Sequence, residues 1–236
     1  MASFSAFDSR KYRTVDAREG YDRWAATYEG TVQDAMDLAL LERLDLDWGA
    51  VGVAADLGCG TGRTGEWLSG RGVGEIDGVD LSPKMLEAAR ARGVYRSLAE
   101  AEVGDSGLPG GAYELAVSCL VDEHLADLRP LYAEAARLLA PGGRFVLVGF
   151  HPHFIIASGM PTHFDDAESG ESLAIETHVH LLSDHVAAGL GAGLALAALH
   201  ERIVDDEWVA LKPKWERFRG HPISFAFEWV DGGSDF

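Results

Sequence analysis

The sequence predicts an α/β domain with a mostly parallel sheet and helices on both faces. Two observations carry that prediction. Short apolar runs alternate with helix-length stretches between residues 51 and 150, as in consecutive βαβ units. The first of those runs ends in a cluster of glycines, at the place where a strand turns into a helix. The size agrees, because 236 residues suit one domain with an elaborated cover. With 47% hydrophobic and 25% charged residues, the chain has globular composition rather than that of a disordered segment.

The elements follow in order. Residues 1–15 read as a loose arm. Between residues 16 and 46, Tyr21, Trp24, Ala25, Tyr28, Val32, Met36, Leu40, Leu41 and Leu44 recur at three-to-four spacing, which predicts helices divided near Gly20 and Gly30. The run 51–57 is a buried strand, followed by a helix over 63–70. Residues 75–79 form the second strand and 82–92 the second helix, with Ser82 as its cap and Pro83 at its first position. Strands over 94–98 and 113–120 come next, then a helix over 128–139. Pro141, Gly142 and Gly143 stop it, and 144–150 is the fifth strand. Past Phe150 the order loosens. A strand is expected over 174–182, a helix capped by Ser183 running towards Leu199, and further strands over 202–204 and 223–230. The expected organisation is a helical lid over 1–45, a ligand-binding core over 46–150, an acceptor-side insertion with a C-terminal helix over 151–220, and a terminal strand and tail over 221–236.

Acidic residues number 38 and basic residues 20, a net charge of −18. That balance opposes a surface that tracks phosphates, so no nucleic-acid partner is expected. Cys59 and Cys119 alone do not make a disulfide scaffold. Charged residues from Asp8 to Glu19 leave no room for a signal-peptide core. The apolar stretch 186–199, about fourteen residues, is too short to span a bilayer. A cytoplasmic protein without a membrane partner is the expectation.

The glycine cluster is Asp56-Leu57-Gly58-Cys59-Gly60-Thr61-Gly62. Alternating glycines permit a tight turn and let a ligand approach the backbone, with the amides of the next helix start facing it. Gly60 to Gly65 also fits the dinucleotide pattern GxGxxG, and Asp80 lies twenty residues past Gly60, placed to accept ribose hydroxyls. A carboxylate of Asp56 in the crevice would repel a pyrophosphate and suit an amine or sulfonium cation. No lysine stands beside the loop, which argues against a P-loop. S-adenosylmethionine therefore fits the residues better than NAD.

The stretches VAADLGCGTG at 53–62, GVDLSPKML at 78–86, GLPGGAYELAV at 107–117, VDEH at 121–124 and RLLAPGGRFV at 137–146 carry a resemblance. Over about residues 20–150 the chain resembles class I S-adenosylmethionine-dependent methyltransferases of the small-molecule type. The resemblance implies a Rossmann-like, seven-stranded sheet with its last strand antiparallel. It implies that Asp56, Gly58, Cys59, Gly60 and Gly62 hold the methionine portion of the donor. By the same resemblance Asp80 holds the ribose, Leu81 and Met85 line the adenine side, and Glu100, ahead of Glu102 and Asp105, meets the adenine amine. Tyr21, Trp24 and Tyr28, with the two tyrosines seven residues apart on one helix face, either pack the helix against the sheet or close over donor and acceptor, one hydroxyl touching the donor's carboxylate. The product of the donor would be S-adenosylhomocysteine.

Methyl transfer is an in-line displacement, so the protein must align the reactants and exclude water. A base is needed only for an acceptor that arrives protonated. Asp122, Glu123 and His124 follow the fourth strand, where ligands of open α/β sheets gather. His151-Pro152-His153 follows the fifth strand, and His178 and His180 share one side of the expected strand 174–182. His153, His178 and His124 are the candidate bases. His178-x-His180 with Asp165 or Asp166 lacks a compact metal signature, and no metal is expected. Arg63, just after the glycine loop, would either pair with a carboxylate or remain exposed. Trp208, Trp215, Phe218, Phe225, Phe227 and Trp229 either line an apolar acceptor pocket or build an ordinary core. The expected function is transfer of a methyl group to an oxygen or nitrogen of a small molecule, plausibly in secondary metabolism. An NAD-dependent oxidoreductase and a non-catalytic donor-binding scaffold are the alternatives. The protein would be a monomer or homodimer, the C-terminal aromatic strand contributing the dimer surface.

Overall fold

The computed structural model describes residues 4–32 and 36–232. In chain order the elements are β1 (Arg13–Val15), α1 (Ala17–Thr31), α2 (Met36–Leu41), β2 (Val53–Leu57), α3 (Arg63–Gly70), β3 (Glu75–Asp80), α4 (Pro83–Arg92), β4 (Ser97–Glu100), β5 (Tyr113–Cys119), α5 (Arg129–Leu138), β6 (Leu139–Phe150), α6 (Pro152–Ser158), β7 (His163–Asp165), β8 (Ser172–Ile175), α7 (Leu182–Gly191), β9 (Leu194–Ile203), α8 (Asp206–Leu211) and β10 (Pro222–Asp231). Short 3-10 turns lie between them, of which Asp122–His124 matters most.

Seven strands form one sheet in the order β4-β3-β2-β5-β6-β10-β9. The first five run parallel, and β10 is antiparallel to both β6 and β9. Successive side chains of a strand point to opposite faces. Ala55 and Leu57 of β2, Phe145 and Leu147 of β6, and Phe225, Phe227 and Trp229 of β10 therefore pack under α5 and α7. Ala54, Val146, Val148 and Ala226 pack with Leu40 and Leu41 of α2 and Leu68 of α3 on the other face. With both faces covered, these strands read as continuous apolar runs. As the sequence predicts, Ser82 caps α4, accepting from the Met85 amide at 3.1 Å, with Pro83 at the first position.

Several expectations are corrected. The helix drawn towards Leu199 ends at Gly191, and β9 follows it. Gly193, at φ +82°, reverses the chain, and the Ala/Leu run then pairs with β10 from Leu194 opposite Asp231 to Ile203 opposite Pro222. Uniform Ala and Leu carry no periodicity that separates helix from strand. The strand expected at 94–98 starts at Ser97, because Gly93 ends α4 in the left-handed conformation and Tyr95 is drawn against the core. The arm 1–15 contains β1, which pairs parallel with β8 in a small second sheet of order β1-β8-β7. That sheet takes residues 172–175, so only Ala174 and Ile175 of the strand expected over 174–182 are paired in it. The segment 151–220 is thus divided: α7 and β9 belong to the layers of the main sheet, while α6, β7 and β8 stand beside it. β10 lies between β6 and β9 with its aromatics fully buried, so it presents no dimer surface. Among the described residues, no helix is long and apolar enough to cross a membrane.

Candidate active site

The carboxyl ends of β2, β3 and β5 open side by side on a cavity of about 380 Å³. Its floor is the glycine turn after β2. Gly58, Gly60 and Gly62 have φ of +78°, +52° and +83°, a region other residues rarely enter. A side chain at Gly58 would also collide with Val121 across the cavity floor. The Gly62 amide donates to the Cys59 carbonyl at 2.8 Å and closes the turn.

Asp80, at the end of β3, fastens this turn. Its two carboxylate oxygens accept from the amides of Gly60 and Ser82, each at 2.8 Å. Burial pushes its carboxyl above the usual range, Asp22 adds to that push, and the two amides oppose it. Leu81 and Met85 form the apolar flank beside it, and Glu102, Val103 and Gly104 continue the wall.

Helix α1 crosses the mouth. Tyr21 and Tyr28 line the cavity, while Trp24, between them in sequence, stacks on Phe164 at 5.3 Å and fixes α1 to the small sheet. Polar contacts hold the helix down on three sides. Asp22 accepts from the Ser82 hydroxyl at 2.6 Å, Arg23 pairs with Asp166 at 2.6 Å, and Glu29 meets the Thr61 hydroxyl and Arg92.

The far wall comes from the end of β5. Leu120 stands at φ +60°, costly for a leucine, and its amide donates to the Val148 carbonyl at 2.7 Å. This bend presents the turn Asp122–His124 to the cavity. The His124 side chain is 5% exposed. Its Nδ1 lies 2.8 Å from the Glu176 carbonyl, which only accepts, so Nδ1 carries the proton and Nε2 is left as acceptor. The Tyr21 hydroxyl donates to that Nε2 at 2.9 Å, and Glu123 Oε1 is 3.4 Å away. Burial raises the Tyr21 hydroxyl well above its ordinary range, with Tyr28, Glu123 and Asp80 adding to it. Burial also raises the Glu123 carboxyl, against the pull of His124 and the Thr162 hydroxyl. Behind the turn, Asp122 faces His185 at 3.5 Å, His185 meets the Tyr132 hydroxyl at 3.0 Å, and His180 reaches the Leu125 carbonyl at 2.6 Å.

The comparisons with known proteins bear on this arrangement. A family model described as a methyltransferase domain matches residues 55–147. A demethylmenaquinone methyltransferase of Thermus thermophilus is 36% identical over 102 residues, 41% of this chain and 46% of that protein. A chloroplastic tocopherol O-methyltransferase of Arabidopsis thaliana is 31% identical over 99 residues, 39% of this chain and 28% of that protein. The chain thus spans less than half the length of either relative. A crystal structure of an S-adenosylmethionine-dependent methyltransferase from Mesorhizobium loti superposes with a TM-score of 0.66 at 24% identity, covering 84% of this chain and 98% of that one. Residues 55–147 thus match a methyltransferase domain, and the seven-stranded sheet has the fold of class I methyltransferases.

Of the expected residues, Tyr21, Tyr28, Gly58, Cys59, Gly60, Asp80, Leu81, Met85 and His124 all line this cavity. Five expected residues do not. Asp56 is 1% exposed and turned behind the floor, where the Tyr95 hydroxyl donates to it at 2.7 Å. Strand alternation puts it on the face of Ala54, under α3, and not beyond the strand end. Its proposed role as a charged cavity wall is therefore corrected. Glu100 is taken by an ion pair with Arg18 of α1, and Glu102 lies on the wall in its place. His153 is turned away by α6, which begins at Pro152, and meets His221 at 3.0 Å. His178 lines a separate cavity of about 420 Å³ with Asp8 and Glu176. Gly62 lies at the end of the turn, packed against Tyr95 and Arg92 and off the lining. Trp208, Trp215 and Phe218 build a core with Phe154, Val204 and Ile223, away from the cavity. Among the described residues no group of three or more His, Cys, Asp or Glu is arranged to hold a metal ion.

One carboxylate on the wall was not foreseen. Asp37 of α2 is 2% exposed, and its Oδ2 accepts from Arg63 at 2.6 Å. Among the described residues its Oδ1 has no hydrogen-bond partner, and it is buried. An orphaned acceptor on a side chain of the cavity wall, with Asp80 and the apolar flank of Leu81 and Met85 on the same cavity, suits a nucleoside with a cationic end, which is the chemistry of S-adenosylmethionine. In the sequence Asp37 interrupts the apolar run Met36 to Leu41, the one local sign of it.

The position of Asp56 has a measurable consequence. Burial pushes its carboxyl up to about 7, Asp80 and Asp37 add to the push, and Tyr95 and Gly65 oppose it. The folded protein therefore binds a proton between about pH 4 and 7 that the unfolded chain releases, and stability falls as pH rises through that window. Thermal unfolding at pH 5 and pH 8 should show the loss, on the order of 3 kcal/mol from this one group. In D56N the difference should shrink by that amount.

Proposed function

We propose that the chain transfers a methyl group from S-adenosylmethionine to an oxygen or nitrogen of a small molecule, His124 receiving the acceptor's proton through Tyr21. The observation that supports this reading is one cavity with the glycine turn and Asp80 on one wall and the Tyr21–His124 pair on the other. Relatives named for tocopherol and demethylmenaquinone agree with a small acceptor.

Bound S-adenosylmethionine supplies a methyl group on a sulfonium, transferable to a nucleophile while the carbon–sulfur electron pair stays with sulfur. The protein's part is alignment, exclusion of water and custody of one proton. Asp80, held rigid by the Gly60 and Ser82 amides, accepts from the ribose hydroxyls. Tyr28 and the rest of α1 cover the donor. An acceptor hydroxyl bonded to the Tyr21 oxygen gives its proton there as Tyr21 passes its own to His124 Nε2. Tyr21 stays neutral throughout, in keeping with its raised range. The imidazolium so formed stands beside Glu123, and the Glu176 carbonyl keeps the ring in orientation. Lid and acceptor-side roles fall to α1 and to the stretch around Glu176.

Calorimetry distinguishes this from a dinucleotide enzyme. S-adenosylhomocysteine should bind one per chain and NAD should not, since Asp37 and Asp80 would both face the pyrophosphate. NAD binding as tight as S-adenosylhomocysteine would overturn the reading. Transfer of a labelled methyl group to a panel of small phenols and amines should be detectable; a protein that binds the donor and methylates none of them would be a scaffold.

A further inference from the structure

We infer that Asp37, from outside the glycine motif, receives the α-ammonium of the bound donor and makes the site selective for thioether nucleosides that carry an amino-acid end. This rests on reading the cavity as an S-adenosylmethionine site. The case begins with a cost. Asp37 is 2% exposed on a helix whose neighbours Met36, Leu40 and Leu41 are fully buried. A carboxylate in such a place is expensive unless all of its lone pairs find partners. Only Oδ2 does, with the Arg63 guanidinium at 2.6 Å. Oδ1 has none, and the side chain lies on the cavity wall. An acceptor-only oxygen beside a ligand cavity calls for a donor, and a cationic N–H supplies the stronger bond.

The neighbouring groups leave this task to Asp37. Asp56, the acidic residue within the motif, is turned behind the floor and engaged by Tyr95. Asp80 gives one lone pair of each oxygen to a backbone amide and, on the reading above, the others to the ribose. Glu102, on the wall, follows β4, whereas Asp37 stands beside Arg63 at the start of α3, next to the turn. A zwitterionic end suits this corner, because the first turn of the eight-residue α3 favours the carboxylate while Asp37 takes the ammonium. Donor recognition then depends on α2, contributed by the N-terminal layer and not by the sheet core.

The test is a calorimetric cycle with S-adenosylhomocysteine and its des-amino analogue, on the parent and on Asp37→Asn. The parent should prefer S-adenosylhomocysteine by about tenfold or more. D37N should bind both ligands alike, with the parent's affinity for the des-amino analogue retained. Equal affinities in the parent would overturn the inference even if D37N failed to fold, as would a variant that weakens both ligands equally. If the parent binds S-adenosylhomocysteine, the donor reading stands whichever way Asp37 falls; if it binds neither ligand, that reading fails first.

Discussion

Replacing Asp80 by alanine is expected to weaken S-adenosylhomocysteine binding about a hundredfold or more while the seven-stranded fold persists. Asp80 is poised in two senses. Its backbone lies at the end of a central strand, paired with β2 on one side and β4 on the other, so the position is set by the sheet. Its carboxylate is oriented by the Gly60 and Ser82 amides, which leaves lone pairs directed into the cavity. Two hydrogen bonds from ribose hydroxyls to a charged acceptor contribute about 3 kcal/mol together, equivalent to roughly that hundredfold. The substitution also frees the turn from β3, which adds to the loss. The sheet core is remote from the side chain, so circular dichroism should match the parent. Unchanged affinity by calorimetry would remove Asp80 from the ribose.

Replacing His124 by glutamine should lower kcat by about a hundredfold or more, with S-adenosylhomocysteine affinity within a few-fold of the parent. The split follows from geometry. The polar partners of His124 among the described residues are Tyr21, Glu123 and the Glu176 carbonyl, with none from the glycine turn, which on the proposed reading puts it at the acceptor end. Glutamine keeps a polar group of similar reach but has no nitrogen that accepts and then holds a proton at neutral pH. H153A and H178A should retain the parent's turnover, because one side chain pairs with His221 and the other lines the separate cavity. A fall in donor affinity equal to the fall in kcat would make His124 a structural support for α1 instead of a proton acceptor.

Much of this was legible in the residues. The strands β2 and β5 and the second half of β6 are apolar runs with turn residues between them, as burial on both faces requires, whereas β6 begins at Leu139, five residues before the strand expected over 144–150. The proposed donor side was legible because its parts are contiguous: the glycine turn, then Asp80 at the next strand end, then Leu81 and Met85 at the start of α4. The acceptor side was legible only in part. His124 follows a strand end, yet its partners Tyr21 and Glu176 lie 103 and 52 residues away along the chain. The concentration of histidines after β6 pointed towards His153 and His178, but Pro152 starts a helix there and carries His153 off. β9 was hidden because Ala and Leu without alternation fit a helix or an edge strand equally well.

The sequence by itself determined what is local: the layered α/β order, the turn that only glycine can make, and an acidic side chain at the end of the second core strand. Tertiary structure alone decided which carboxylates face the cavity. Asp56 is within the motif and points into the protein; Asp37 is outside it and lines the wall. The physical reason is that a strand's pleat and a helix's seat on the sheet set side-chain direction, and both are settled by packing between segments distant in the chain.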